Sequence, residues 1–187
     1  MYQSSEFSNV TKQYLCRYYE ILDTMIREMT CVQRTDSISH NFILQMIPHH
    51  RAAIEMSKNL LQYTTFVPLQ NIAANIIMSQ TKSIANMTAA FTSCSGVQNT
   101  EQELRQYEQR FDQVTQTMFA DMENARVTNN INADFMREMI PHHEGAIRMS
   151  RNALRFPICP ALKPILEAII ASQTQGVREM KHLLQQM

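Results

Sequence analysis

The sequence repeats itself, and no other feature narrows the range of folds as far. Moved 93 residues along, the chain aligns with itself without a gap. Residues 42–61 read FILQMIPHHRAAIEMSKNLL and residues 135–154 read FMREMIPHHEGAIRMSRNAL, twelve identities in twenty positions. Downstream, IIMSQTKSIANM at 76–87 faces IIASQTQGVREM at 169–180. Upstream, Tyr14, Arg17, Thr24, Met25 and Met29 face Tyr107, Arg110, Thr117, Met118 and Met122. A gapless match of this length implies two copies of one unit, 1–93 and 94–187, within a single compact molecule.

Each copy reads as three helices. Tyr14, Tyr18, Ile21, Leu22, Met25 and Met29 recur every three or four residues, the period of a helix with one apolar face. The first helix is expected over 7–31 and 100–125. The polar stretches TDSISHN (35–41) and TNNINAD (128–134) are rich in residues that cap helix N-termini. They introduce a second helix over 40–62 and 133–155. The third starts near Pro68 and Pro160, since proline suits a first helical turn, and ends near 91 and 186. Gly96 lies in the one clear linker, 92–98. Only 3 Gly and 6 Pro in 187 residues, with no alternating apolar pattern, leave no signal for strands. The expected fold is all-α: a bundle of two three-helix repeats related by a pseudo-two-fold axis.

Charge excludes some functions. Lys+Arg and Asp+Glu are both 17 and scattered, so nothing favours nucleic acid. No apolar run approaches 18 residues, so no membrane span is expected. No leader pattern opens the chain. Cys16, Cys31, Cys94 and Cys159 form no metal-binding or redox spacing. Free thiols in a reducing cytosol are therefore expected. Self-association stays open.

The chemistry concentrates on the second helix. Pro48 and Pro141 lie inside it, where proline removes a backbone bond and costs about 3 kcal/mol. The carbonyls of Leu44 and Arg137 lose their donor, and a kink is expected beside His49-His50 and His142-His143. Met46 and His50 share a face one turn apart, and Ala53 and Ala146 leave room beside the histidines. On the third helix Gln80 and Met87, and again Gln173 and Met180, share one face. Imidazole with thioether is a ligand set for copper, Cu(I) above all. Zinc prefers cysteine, histidine and carboxylate; none of the four cysteines is kept between copies, and only Glu28 and Asp121 keep an acid in both. A di-iron carboxylate centre needs four carboxylates and two Glu-x-x-His motifs, a pair this chain lacks. The candidate ligands are Met46, His49, His50 and Met87 in one copy, and Met139, His142, His143 and Met180 in the other, with Met56 and Met149 in reserve.

Plainer readings stand beside this one. Met25, Met29, Met118 and Met122 fit core packing, and Ser57 and Ser150 fit helix contacts. His40 and His182 face Ala133 and Ala89, so neither is kept between copies. The paired histidines could form a polar core network, or act as acid-base groups.

The pattern acidic-Phe-x-x-x-Met-x-x-His-His-x-x-Ala-x-x-Met resembles the DUF305 family. Copy two carries it in Asp134, Phe135, Met139, His142, His143, Glu144, Gly145, Ala146 and Met149, with Gln173 and Met180 downstream. Copy one keeps Phe42, Met46, His49, His50, Ala53, Met56, Gln80 and Met87, and departs at Asn41, Arg51 and Ala52. The resemblance covers about fifty residues of each half. It implies a ferritin-like helical fold and, for some members, copper binding and tolerance. The expected function is a non-catalytic protein that buffers or sequesters copper. A structural or protein-interaction bundle with a buried histidine network is the alternative, and a di-metal oxidase a third.

Overall fold

The computed structural model describes residues 7–187. Six helices follow in order: α1 (Asn9–Thr30), α2 (Ile38–Leu61), α3 (Val67–Ser93), α4 (Glu101–Glu123), α5 (Ile131–Ala153) and α6 (Lys163–Leu184). No strand is present among the described residues. The first residues of α2 and α5 are 93 positions apart, as are their caps Ser37 and Asn130, whose side chains accept from the amides of His40 and Ala133. Ser8 caps α1, and Thr100 with Glu103 forms a capping box on α4. Neither α3 nor α6 has a side-chain cap; each has proline in its first turn. For α6 that proline is Pro164 rather than Pro160, so the helix starts three residues later than expected.

The loops before α2 and α5 are fastened alike. Asn41 Oδ1 accepts from the Thr35 amide at 2.7 Å and its hydroxyl at 3.0 Å. Asp134 accepts from the Thr128 amide at 2.9 Å and its hydroxyl at 2.8 Å. The first-copy departure Asn41 therefore keeps the job that Asp134 does, and this acid is a loop fastener, not a ligand.

α1 packs on α2 and α2 on α3; α4 packs on α5 and α5 on α6. The halves join where α2 meets α5 and α3 meets α6. α2 and α5 are thus the central pair, each touched from three sides, and they bury residues around most of their circumference. A helix in that position can bury polar side chains only if partners are built for them. Both helices run through Pro48 and Pro141 without interruption. Met25, Met29, Met118 and Met122 lie in the apolar core, as their spacing predicts.

Two of the four cysteines are not the free thiols expected. Cys94, just beyond α3, and Cys159, ahead of α6, form a disulfide with Cα atoms 5.3 Å apart. Only Cys16 and Cys31 are free, and both are exposed. The bonded cysteines are 65 residues apart and face no cysteine in the other copy. Neither spacing nor the repeat could reveal them. No helix of the described residues is long and apolar enough to cross a membrane.

Candidate metal centre

Successive residues on a helix point about 100° apart, so each His-His pair faces two neighbours at once. His49 on α2 and His142 on α5 meet across the joint between the halves. Their rings stack with centroids 3.6 Å apart and planes 25° from parallel. The contact is reciprocal: His49 Nε2 lies 3.2 Å from the His142 carbonyl, and His142 Nε2 lies 3.1 Å from the His49 carbonyl. These are not the carbonyls of Leu44 and Arg137 that the prolines release. The second residue of each pair turns towards the third helix of its own half. His50 Nε2 is 3.1 Å from Ser83 Oγ on α3. His143 lies against Gly176 on α6, where a Cβ would come within 2.9 Å of its Cδ2. Within each pair the ring centroids are 5.9 Å apart.

Protonation follows from these contacts. A carbonyl can only accept, so Nε2 of His49 and of His142 carries the proton. In a neutral imidazole the lone pair then sits on Nδ1. Burial, reinforced by the neighbouring imidazoles, holds His49 well below the usual histidine range. Burial likewise lowers His50 to about 3 and His142 to about 4, and pushes His143 well down. All four rings are neutral at pH 7. Yet Nδ1 of all four is buried with no hydrogen-bond partner among the described residues. Native cores hydrogen-bond most buried polar atoms; here the four imidazole nitrogens share their open state with Gln80, Gln173, Ser57 and Ser150, among others, and these four open nitrogens lie on adjacent rings. An imidazole that donates one N–H to a carbonyl and keeps its other nitrogen free is oriented as a metal ligand.

The expected thioethers are buried, on the histidine helices and on the helices packed against them. Met46 precedes His49 and His50 by three and four residues, and Met139 stands likewise before His142 and His143; all are at most 2% exposed. On α3, Gln80 and Met87 flank Ser83 by one turn on either side, and on α6 Gln173 and Met180 flank Gly176. All four flanking residues are buried. The amide of Gln80 and Oε1 of Gln173 have no partner among the described residues. Met56 and Met149 are also buried. No group of three or more His, Cys, Asp or Glu side chains among the described residues could hold a metal ion. Of the other buried donors, thioether sulfur suits a soft ion and amide oxygen does not.

Other polar residues fall in place. His40 stacks on Phe91 and bonds its carbonyl, and His182 pairs with Gln186 on the surface. The one Glu-x-x-His of the chain, Glu179 to His182, ends on that exposed ring. Ser57 and Ser150 are buried, with hydroxyls unpartnered among the described residues. Three features escape sequence reasoning. Ser83 and Gly176, which the histidines touch, differ between the copies and so carry no repeat signal. Glu138 is buried on α5 and accepts from the Tyr14 hydroxyl of α1 at 2.5 Å, a contact 124 residues apart in the chain. Burial raises its carboxyl to about 8.

Residues 34–184 match the family described as Domain of unknown function (DUF305). No curated protein matches the chain. Among solved structures, CopM in its Cu(II)-bound form is similar at 27% identity and a TM-score of 0.61, covering 83% of this chain and 99% of that one. CopM in an Ag-bound form is similar at 28% identity and 0.60, covering 83% and 98%. A DUF305 fragment from Deinococcus radiodurans shares the fold at 21% identity and 0.58, covering 80% and 97%.

Proposed function

This chain belongs to the DUF305 family, and from that premise we propose that it binds soft metal ions, copper first, and holds them as a buffer or store. The observation that carries the proposal is the state of the stacked histidines. His49 and His142 each commit the Nε2 proton to a carbonyl and keep a buried Nδ1 lone pair that has no partner among the described residues. The ligands are Met46, His49, His50 and Met87 in the half 1–93, and Met139, His142, His143 and Met180 in the half 94–187. Met56 and Met149 stand about two turns further along. The likeness to CopM, solved with Cu(II) and with Ag, supports the same class of ion here. Neutral imidazoles are ready ligands at pH 7, since no proton must leave before the ion arrives. The disulfide suits an oxidising compartment better than the cytosol.

A second reading has an observation of its own. The reciprocal bonds between His49 and His142 join the halves without any metal, so the histidines could serve only to hold α2 against α5. One pair of experiments separates the two. Cu(I) is titrated against a competing chelator, for the wild type and a His49/His50/His142/His143→Ala variant whose helicity is checked first. Thermal melts are then run with and without metal. The proposal expects tighter binding by the wild type and a melt shifted by about 2.7 kcal/mol of added stability at a hundredfold excess over Kd. Equal binding by the two proteins and an unshifted melt would overturn it.

A further inference from the structure

The two histidine pairs differ in what closes them off. The His50 ring is fully buried and its Nε2 sits against Ser83 Oγ at 3.1 Å. His143 meets glycine at the position 93 residues beyond Ser83. With no side chain at Gly176, the His143 ring lines a solvent-facing groove of about 270 Å³ between α3 and α6. A Cβ at 176 would come within 2.9 Å of His143 Cδ2 and 3.1 Å of its Nε2. Any side chain there would press on the ring and fill the opening.

The groove is furnished for a soft cation. Met78 lines it and is 68% exposed, an unusual place for a thioether. Glu179, bonded to Gln175 at 2.7 Å, adds a carboxylate, and Gln173 lies further in. The residues 93 positions away are of another kind. Ala171 stands for Met78, Asn86 for Glu179, Lys82 for Gln175 and Ser83 for Gly176. One side offers an approaching ion a thioether and an anion; the other offers a methyl, an amide and an ammonium group.

We infer that the groove between α3 and α6 is the route by which a soft monovalent cation, Cu(I) or Ag(I), reaches the buried histidines. Met78 and Glu179 meet the ion first, and His143 is the first imidazole it finds. This rests on the metal-binding reading. It deepens that reading by giving the two halves different access.

Two measurements test it. Diethylpyrocarbonate, which acylates accessible neutral imidazole, is applied to the metal-free protein and the sites are mapped by mass spectrometry. Among the four core histidines, His143 should react first in the wild type, be protected in Gly176→Val, and be joined by His50 in Ser83→Gly. In the second, Ag(I) is delivered from a coloured competitor and loading is followed in time. The Met78→Leu/Glu179→Gln variant should load about tenfold more slowly, as loss of electrostatic steering and a first ligand predicts, while reaching wild-type stoichiometry. Gly176→Val should load more slowly still. Reaction of His50 ahead of His143, or loading of these variants at the wild-type rate, overturns the route and leaves metal binding standing. A wild type that takes up no Ag(I) overturns both.

Discussion

Glu138 is a carboxyl that the bundle buries against a tyrosine: it accepts from the Tyr14 hydroxyl, and the nearby Asp134 adds to the effect of burial. Burial raises its pKa to about 8. A folded-state value above the unfolded one means the native protein holds an extra proton between the two. The associated stability is complete below about pH 4.5 and lost as pH climbs towards 8. The four core histidines act in the opposite sense. Their values are lowered, so the unfolded chain binds more protons below about pH 6.5 and stability falls as acid is added. The metal-free protein should therefore be most stable near pH 7, where the two opposed effects balance. From there to pH 8 the Glu138 contribution should fall by about 1 kcal/mol, partly offset by the last of the histidine titration. On the acid side the loss approaches about 1.4 kcal/mol per unit for each imidazole, less the gain from Glu138. Glu138→Gln, which writes in the Gln45 of the other copy, keeps an acceptor for Tyr14 and should abolish the alkaline slope alone. Urea denaturation at a series of pH values measures both limbs; a variant that keeps the alkaline slope would show that Glu138 is not its source.

Helix contacts explain where the copies diverge. Gly145 on α5 faces α4 so closely that a Cβ would overlap Met118 Sδ and come within 2.8 Å of its Cγ. The matching residue of α2 is Ala52, which borders a surface hollow of about 400 Å³ between α1 and α2, shared with Met25. Gly145→Ala gains about 1 kcal/mol of helix propensity and loses about 1–3 kcal/mol to overpacking. A net destabilisation of about 1 kcal/mol is expected, and thermal denaturation measures it; a stabilised variant would mean that Met118 moves aside freely. The helices themselves were legible, because α1 and α4 carry one apolar stripe each and α2 and α5 carry capping residues at matched positions. The boundary of α6 was not, because Pro160 and Pro164 both suit a first turn and only the disulfide-bearing loop decides between them. The kink expected at Pro48 and Pro141 is not a break: both helices stay continuous, held from three sides by their neighbours.

Across the whole molecule, the histidines could be found because the same string stands twice in the sequence, 93 residues apart, and their partners could not because their positions differ. His49 and His142 stack only when the halves meet, a contact no local pattern encodes. Ser83 and Gly176 give the two sites different surroundings for the same reason that they gave no signal. The disulfide is invisible by either route, having no counterpart in the other half. In the chain-entropy account, a bond closing some 65 residues restricts the unfolded chain by about 4 kcal/mol. Cys94→Ser/Cys159→Ser should lower the unfolding free energy by about that amount, read by urea denaturation beside the wild type; an unchanged midpoint would mean that this cross-link constrains little. The same bond has a topological consequence. It closes a covalent ring around all of α4 and α5, with His142 and His143 inside it. A backbone cut anywhere in that ring leaves the polypeptide in one piece, its severed ends still tethered. The helix bearing those histidines therefore belongs to the part of the protein that proteases can nick without being able to detach.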